Sequence, residues 1–300
     1  MNCPTSGKHV PEKVAGTFAA KVPATLQNAQ HRLRQRFGPP SPSFGPPSPS
    51  FGEASCYGRL SPVTDATRVF VGTSGYNYPE WRGSFYPEKF PADKMLAYYA
   101  ERFRTVEVNY TFYRMPTEKL LTGWATGTPD HFTFTLKAPR RITHDSKLQR
   151  CEDLVQSFCR TARTLGPKLA TLLFQLPPNY KKDADVLRAF VGLLPDDVKA
   201  AFEFRHASWL DQEIFDVLRS RNVALCVADS EKMSTPVETT ADYAYFRLRD
   251  EGYQDSDLER WGATVRDLNV KQAFVYFKHE EQGLGPIFAQ KFIDEVGRHQ

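Results

Sequence analysis

No stretch of this chain approaches the about 18 consecutive apolar residues that a membrane span requires, and its first residues lack the unbroken apolar core of a secretory signal. Neither membrane insertion nor export is therefore expected. The five cysteines, at 3, 56, 151, 159 and 226, form no C-x-x-C pair and show no metal-ligand spacing. A scattered, odd count reads as reduced thiols, which points to a cytoplasmic location. Absent too are the phosphate loop G-x-G-x-x-G, the zinc-binding H-E-x-x-H and the nucleophile elbow G-x-S-x-G. Gly72-Thr73-Ser74-Gly75 resembles the first only superficially, and Ser74 does not sit in the third.

Charge of one sign is missing from most of the chain. Residues through Ala66 hold seven Lys/Arg and three acids, whereas the remainder holds 32 of each. A neutral body lacks the broad basic surface of most nucleic-acid binders, although a local basic cleft stays compatible with it. The basic segment is also rich in Pro, Ser and Gly, with Phe-Gly-Pro-Pro-Ser-Pro-Ser at 37–43 repeated at 44–50. Nothing in it can fill a core, so residues 1–66 are expected to be a disordered tail and residues 67–300 a folded domain.

From Arg68 onward, short runs rich in Val, Phe, Ile, Leu and Thr alternate with longer segments of helical period. Strands are predicted near 68–74, 105–112, 132–138, 169–176, 200–205, 223–229, 243–249 and 272–278. Helices are predicted near 93–103, 117–126, 151–165, 183–193, 211–221, 256–268 and 284–298, with a polar loop at 230–242. Eight β/α alternations in this length predict an α/β fold, a (β/α)8 TIM barrel. A doubly wound sheet is the alternative, but it normally announces a phosphate loop after its first strand.

Several motifs stand in a fixed order. They are Gly72-Thr73-Ser74-Gly75-Tyr76-Asn77-Tyr78 with Trp81 and Phe85-Tyr86-Pro87, then Val106 to Arg114, then Phe134-Thr135-Leu136-Lys137-Ala138-Pro139 with Thr143-His144. Leu173-Phe174-Gln175-Leu176-Pro177-Pro178 and Glu203-Phe204-Arg205-His206 with Ser208-Trp209 follow. Together they resemble the YecE-like family, a domain-of-unknown-function family. The resemblance implies a TIM barrel over nearly all of 68–300 and supplies no reaction. Strands seven and eight depart from the family pattern at Arg247-Leu248-Arg249 and Lys278-His279-Glu280.

In such barrels, function sits at the C-terminal strand ends, and side chains two apart share a face. Glu107, Asn109 and Thr111 on strand two, Lys137 on strand three, Gln175 on strand four, and Glu203 and Arg205 on strand five then form an inward ring. Glu107 and Glu203 are the candidate acid and base. Arg205, Lys137, Arg247 and Lys278 are candidate anion holders. Asn109, Gln175 and Asp229 are further ligand-binding candidates, and Tyr76, Trp81 and Trp209 offer aromatic surface. The competing view is a self-neutralising ion network that only fixes the barrel interior. No cofactor is expected. His144, His206, His279 and Asp229 are the set a divalent metal would use, but whole barrel units separate them. Two classes of function follow: an enzyme using acid–base chemistry on an anionic or phosphorylated small molecule, or a noncatalytic binder of nucleic acid or a nucleotide-like ligand. No partner in a membrane is expected, and the sequence sets no oligomeric state.

Overall fold

The computed structural model describes residues 67–230, 233–280 and 283–298. The expected tail therefore lies outside the described residues. Eight parallel strands appear: β1 (Arg68–Thr73), β2 (Thr105–Val108), β3 (Thr133–Lys137), β4 (Leu169–Gln175), β5 (Ala200–Glu203), β6 (Ala224–Asp229), β7 (Tyr243–Leu248) and β8 (Gln272–Phe277). They pair in the order β1-β8-β7-β6-β5-β4-β3-β2, so the sheet curls until its two ends meet. Helices cover its outside, giving the TIM-like α/β architecture expected from the alternation.

The last seam, between β1 and β2, is closed differently from the rest. A bridge joins Ser74 to Glu107, and the Gly75 amide donates to the Glu107 carbonyl at 2.7 Å. Below this, the Tyr99 hydroxyl takes the place of ladder bonds. It accepts from the Thr73 amide at 2.8 Å and donates to the Thr105 carbonyl at 3.2 Å. A side chain thereby satisfies backbone groups that the splayed strands leave apart. Gly72 faces the same seam, and a Cβ there would overlap the Thr105 carbonyl oxygen.

Helix starts follow their sequence signals. Thr117, Asp183 and Asp211 each accept from a backbone amide three residues on, at 3.1–3.2 Å, which satisfies a free donor of the first turn. These caps set the helices at Glu118–Thr126, Ala184–Gly192 and Gln212–Arg219. Two short elements escaped the periodicity. Tyr110–Tyr113 forms a helical turn, so β2 ends at Val108, four residues before the predicted limit, and Asn109 and Thr111 do not continue its face. A π-helical turn at Arg141–Asp145 follows β3, and beyond it Lys147, Leu148 and Arg150 all have positive φ.

Apolar residues on alternate strand positions face the helices, while the barrel interior is a second layer built from the other positions. Ala170, Leu173, Ala201, Ala224, Cys226, Tyr243, Tyr245, Phe274 and Tyr276 fill it. Its lower part is apolar, with Phe70 stacked on Phe274 at 5.2 Å. Midway up, the Tyr276 hydroxyl shares hydrogen bonds with Thr105 at 2.7 Å and Thr135 at 2.8 Å. The next level is ionic.

Candidate functional site

Alternation carries Glu107, Glu203 and Arg247 to the upper end of the barrel interior, each 1% exposed or less. Arg247 bridges the two carboxylates. One terminal nitrogen reaches Glu107 Oε1 at 2.8 Å and Ser74 Oγ at 3.1 Å, and the other pairs with Glu203 Oε2. Glu107 also accepts from the Ser74 hydroxyl and, at 2.5 Å, from Tyr245. Glu203 accepts from Gln175 Nε2 at 2.8 Å and Arg205 Nε at 2.9 Å, with Arg249 at 3.7 Å. Both buried carboxylates are thus paired and hydrogen-bonded, which offsets their large desolvation cost. Burial opposes ionisation of Glu203, but the Arg247, Arg205 and Lys137 charges outweigh it and hold the carboxyl well below the usual range. A carboxylate so held is an electrostatic anchor rather than a proton donor near neutral pH.

Lys137 is placed differently. It is 9% exposed, and among the described residues its ammonium has no hydrogen bond or ion pair; its polar head lies over the Phe112 ring at 4.2 Å from the centroid. Burial, with the Arg247 charge next in size, lowers its pKa to about 7, against the pull of Glu203 and Glu107. The backbone around it is fixed by Thr111, whose hydroxyl donates to the Lys137 carbonyl at 2.6 Å. His144, in the π-helical turn, packs against the same Phe112 ring at 5.0 Å between centroids, and its Nδ1 is bonded to Thr143 Oγ1 at 2.9 Å.

Two cavities open at this end of the barrel. One, of about 660 Å³, is lined by Tyr76, Tyr78, Asn109, Trp124, Lys137 and Lys278 among others. The other, of about 390 Å³, is lined by Glu203, Arg205, Ser230, Met233, Arg249 and Glu251 among others. Arg205 and Arg249 stand 32% and 25% exposed there. Arg205 uses only its Nε in a hydrogen bond, and Arg249 makes none among the described residues. In the first cavity, Asn109 donates to Ser74 Oγ at 2.9 Å while its buried Oδ1 has no partner among the described residues.

Of the inward ring expected from the sequence, Glu107, Lys137, Gln175, Glu203 and Arg205 come together, joined by Arg247, which was expected only as an anion holder, while Asn109 sits at the edge with Tyr76 and Lys278. Lys278 pairs with Glu280 at 3.3 Å. Three aromatic or acidic candidates sit elsewhere. Trp209 is fully buried outside the barrel, stacked on Phe204 at 4.9 Å and donating to the Tyr180 carbonyl at 2.7 Å. Trp81 is a plug, 1% exposed, donating to the Glu280 carbonyl at 3.0 Å within a cluster of Tyr78, Phe85 and Tyr86. Asp229 accepts from Tyr253 at 2.7 Å and Trp261 at 3.2 Å, which ties β6 to the helix Asp255–Arg266.

The histidines do not converge. His206 caps the turn at Ala207–Trp209 through Ser208, and His279 turns to the Asp250 carbonyl at 2.6 Å among Tyr253, Phe277 and Phe288. Among the described residues no group of three His, Cys, Asp or Glu side chains is arranged to hold a metal ion. Nor is any described helix long and apolar enough to cross a membrane.

Sequence reasoning undervalued Ser74, Tyr245 and Arg249. The period-two rule applied to β7 carries the signal: Tyr243, Tyr245 and Arg247 share the inward face, and Arg249 extends it. Ser74 carried no comparable signal, because its role depends on β1 meeting β2 across the seam.

Fold and site together define an eight-stranded parallel α/β barrel with a cation-rich C-terminal mouth. The chain belongs to the family described as "Protein of unknown function DUF72", whose model matches residues 70–300. It is 27% identical over 168 residues to the UPF0759 protein YecE of Escherichia coli K12, a match covering 54% of this chain and 59% of that protein. It is 28% identical over 160 residues to the UPF0759 protein YunF of Bacillus subtilis, covering 49% and 54% respectively. The matched stretch thus spans between half and six-tenths of these relatives. The crystal structure of a DUF72 family protein from Thermotoga maritima superposes with a TM-score of 0.70 at 29% identity, covering 77% of this chain and 99% of that one. A second DUF72 family protein, from Enterococcus faecalis, matches in fold with a TM-score of 0.65 at 15% identity, covering 76% and 95%.

Proposed function

We propose that the barrel mouth binds an anionic or phosphorylated small molecule and acts on it by proton transfer. The observation that supports this is a surplus of unused cationic donors. Glu107 and Glu203 are saturated by Arg247, Ser74, Tyr245, Gln175 and the Nε of Arg205. Lys137, Arg249 and the terminal nitrogens of Arg205 are left facing the cavities without a hydrogen-bonded partner among the described residues. Four basic groups, Arg247, Arg205, Arg249 and Lys137, stand around the two carboxylates, two more than a self-neutralising network needs. Arg supplies a planar fork suited to phosphate or carboxylate.

In this reading the roles of the ring divide. Glu107 and Glu203 hold the cations in register, Arg205 and Arg249 take the anionic group, and Lys137 moves the proton, since a group whose pKa lies near the working pH transfers protons best. Aromatic surface at Tyr76 and Trp124 suits a ring or a carbon skeleton beside it. The test is a thermal-shift screen of phosphorylated and carboxylated metabolites, followed by turnover assays on those that stabilise the protein. Wild type should be stabilised by ligands that leave the Arg205→Gln/Arg249→Gln variant unshifted. A screen in which no anion distinguishes the two proteins would discard the proposal.

The alternative is noncatalytic binding of nucleic acid, and one observation favours it. Tyr113 is 81% exposed and Tyr110 45% exposed at the rim of the larger cavity, positions suited to base stacking. Backbone binding would weaken steeply with salt, and Tyr113→Ala would reduce it. A small anion held by two arginines would show a much shallower salt dependence.

A further inference from the structure

We propose that Lys137 is a nucleophile that condenses with the carbonyl carbon of an anionic aldehyde, ketone or keto acid, forming an imine at the end of β3. The proposal replaces the proton-moving role of Lys137 with a covalent one, and rests on the anion-site reading for the negative charge of the substrate. Its geometric basis is the setting of the amine. Lysines that serve structure give their ammonium to acceptors, as Lys168 does in donating to the carbonyls of Ala125 at 2.6 Å and Thr128 at 2.8 Å. Lys137 is about as buried as Lys168, yet it has no acceptor among the described residues and lines a cavity of about 660 Å³. An amine left desolvated, beside other cations and open to a pocket, is the arrangement that activates a lysine toward carbonyls.

Charged groups from three other strands act on it: Arg247 from β7, Glu203 and Arg205 from β5 and the loop after it, and Glu107 from β2. Burial opposes its protonation most, and the cations among them add to that. At neutral pH a substantial fraction of the amine therefore holds its lone pair free. The group proposed to carry the protons is His144, which packs against the same Phe112 ring over which the Lys137 amine lies. Burial first, then Lys137, Arg140 and Arg205, push its pKa down, so its imidazole is neutral. Its Nδ1 is engaged by Thr143, and its Nε2 has no hydrogen bond among the described residues.

The step balances without any redox partner. The neutral amine adds its lone pair to the carbonyl carbon, the C=O π pair moves to oxygen, and that oxygen takes a proton from solvent water, so that one proton is consumed per imine formed. The nitrogen then loses a proton to His144, and the hydroxyl, protonated in turn by His144, leaves as water. The product is a protonated imine, with one water released per carbonyl consumed. Such an imine withdraws electrons from the adjacent carbon, so the class of reaction served is proton abstraction or carbon–carbon cleavage next to a carbonyl.

Full-length protein is incubated with glyoxylate and sodium cyanoborohydride, and adducts are located by peptide mass spectrometry. Lys137 is expected to be alkylated at least about tenfold faster than the exposed lysines 119 and 271, because far more of it is unprotonated at neutral pH. The rate should rise with pH through a midpoint near 7, inorganic phosphate should slow it, and Lys137→Arg should abolish it while melting normally. His144→Gln should slow labelling without moving that midpoint upward. Modification of Lys137 no faster than of the exposed lysines overturns the imine proposal. If phosphate then still raises the melting temperature of wild type but not of Arg205→Gln/Arg249→Gln, the anion site stands and only the imine falls. If phosphate neither stabilises wild type nor slows labelling, while uncharged propionaldehyde labels Lys137 as fast as glyoxylate, the anion site falls and the requirement for an anionic substrate is overturned with it.

Discussion

Arg247 and Glu107 meet at 2.8 Å with neither side chain reaching solvent, and the other arm of Arg247 pairs with the equally buried Glu203. One guanidinium from β7 thereby fixes carboxylates from β2 and β5, nearly opposite positions on the barrel wall. Removing it would leave two buried acids deprived of their principal counter-charge, a change that typically costs about 3–5 kcal/mol. Arg247→Met should lower the urea midpoint accordingly. Arg247→Lys should recover little, since a single ammonium cannot span both carboxylates and Ser74 at once. A loss below about 1 kcal/mol in Arg247→Met would mean that the network does not hold the barrel end together.

Lys137 should give the fold a pH dependence of opposite sign to that of a lysine held in an ordinary ion pair. Its pKa is near 7 in the folded chain and near 10.5 when unfolded. Between these values the unfolded chain binds the proton and the folded chain does not, so stability rises with pH across that window. Below pH 7 the penalty of charging a buried amine is fully present, at an upper bound of roughly 3–5 kcal/mol. Lys137→Met should therefore be more stable than wild type at pH 6, with the advantage shrinking as pH approaches 10. Denaturation curves at pH 6, 8 and 10 decide it. A variant whose advantage is the same at all three would show that Lys137 does not titrate in this range.

Much of this arrangement was legible before any coordinates. Strand-ending residues two apart, such as Glu203 and Arg205, point to a common mouth once the eightfold alternation is recognised. The limits lie where contacts are made between distant elements. Asp229 reads as a strand-end acid, but only the packing of Tyr253 and Trp261 reveals that it faces outward to hydrogen-bond them. Trp209 follows a strand end too, yet Phe204 and Tyr180 draw its ring into the outer layer. The turn Tyr110–Tyr113 defeats periodicity altogether, because four residues of strand-forming composition are recruited into a helical turn held by tertiary bonds such as Thr111 to the Lys137 carbonyl. Sequence likewise names Lys137 among several cations but gives no sign that, among the described residues, it lacks both a carboxylate partner and a hydrogen bond.

The two mouth arginines should separate binding from stability. Arg249 is partly exposed and lies 3.7 Å from Glu203, so Arg249→Gln should cost less than about 1 kcal/mol of folding free energy. Its effect on an anionic ligand should be larger. A charge-assisted hydrogen bond lost from a binding site is worth roughly 1.5–3 kcal/mol, or about ten- to hundredfold in affinity. Isothermal titration with whichever anion the screen identifies, at low and high salt, measures both the loss and its screening. Equal affinity in wild type and Arg249→Gln would remove Arg249 from the site.

The β1–β2 seam makes the last prediction, and it bears on how the site is held. Ser74 and Glu107 can share a proton contact only because their strands approach closely below them. Gly72 permits that approach, and the Tyr99 hydroxyl supplies the bonds that the strands do not make to each other. Gly72→Ala should push β1 from β2 against rigid backbone and destabilise by about 3 kcal/mol. Tyr99→Phe should cost about 1–3 kcal/mol, since it leaves the Thr73 amide buried and unpaired. The two should not add, because a seam already forced open by the added methyl group no longer presents Thr73 and Thr105 to the same hydroxyl. A double-mutant cycle by urea denaturation measures this coupling. Strict additivity would show that Gly72 and Tyr99 act on separate parts of the barrel, and that the closure bringing Ser74 to Glu107 rests on neither alone.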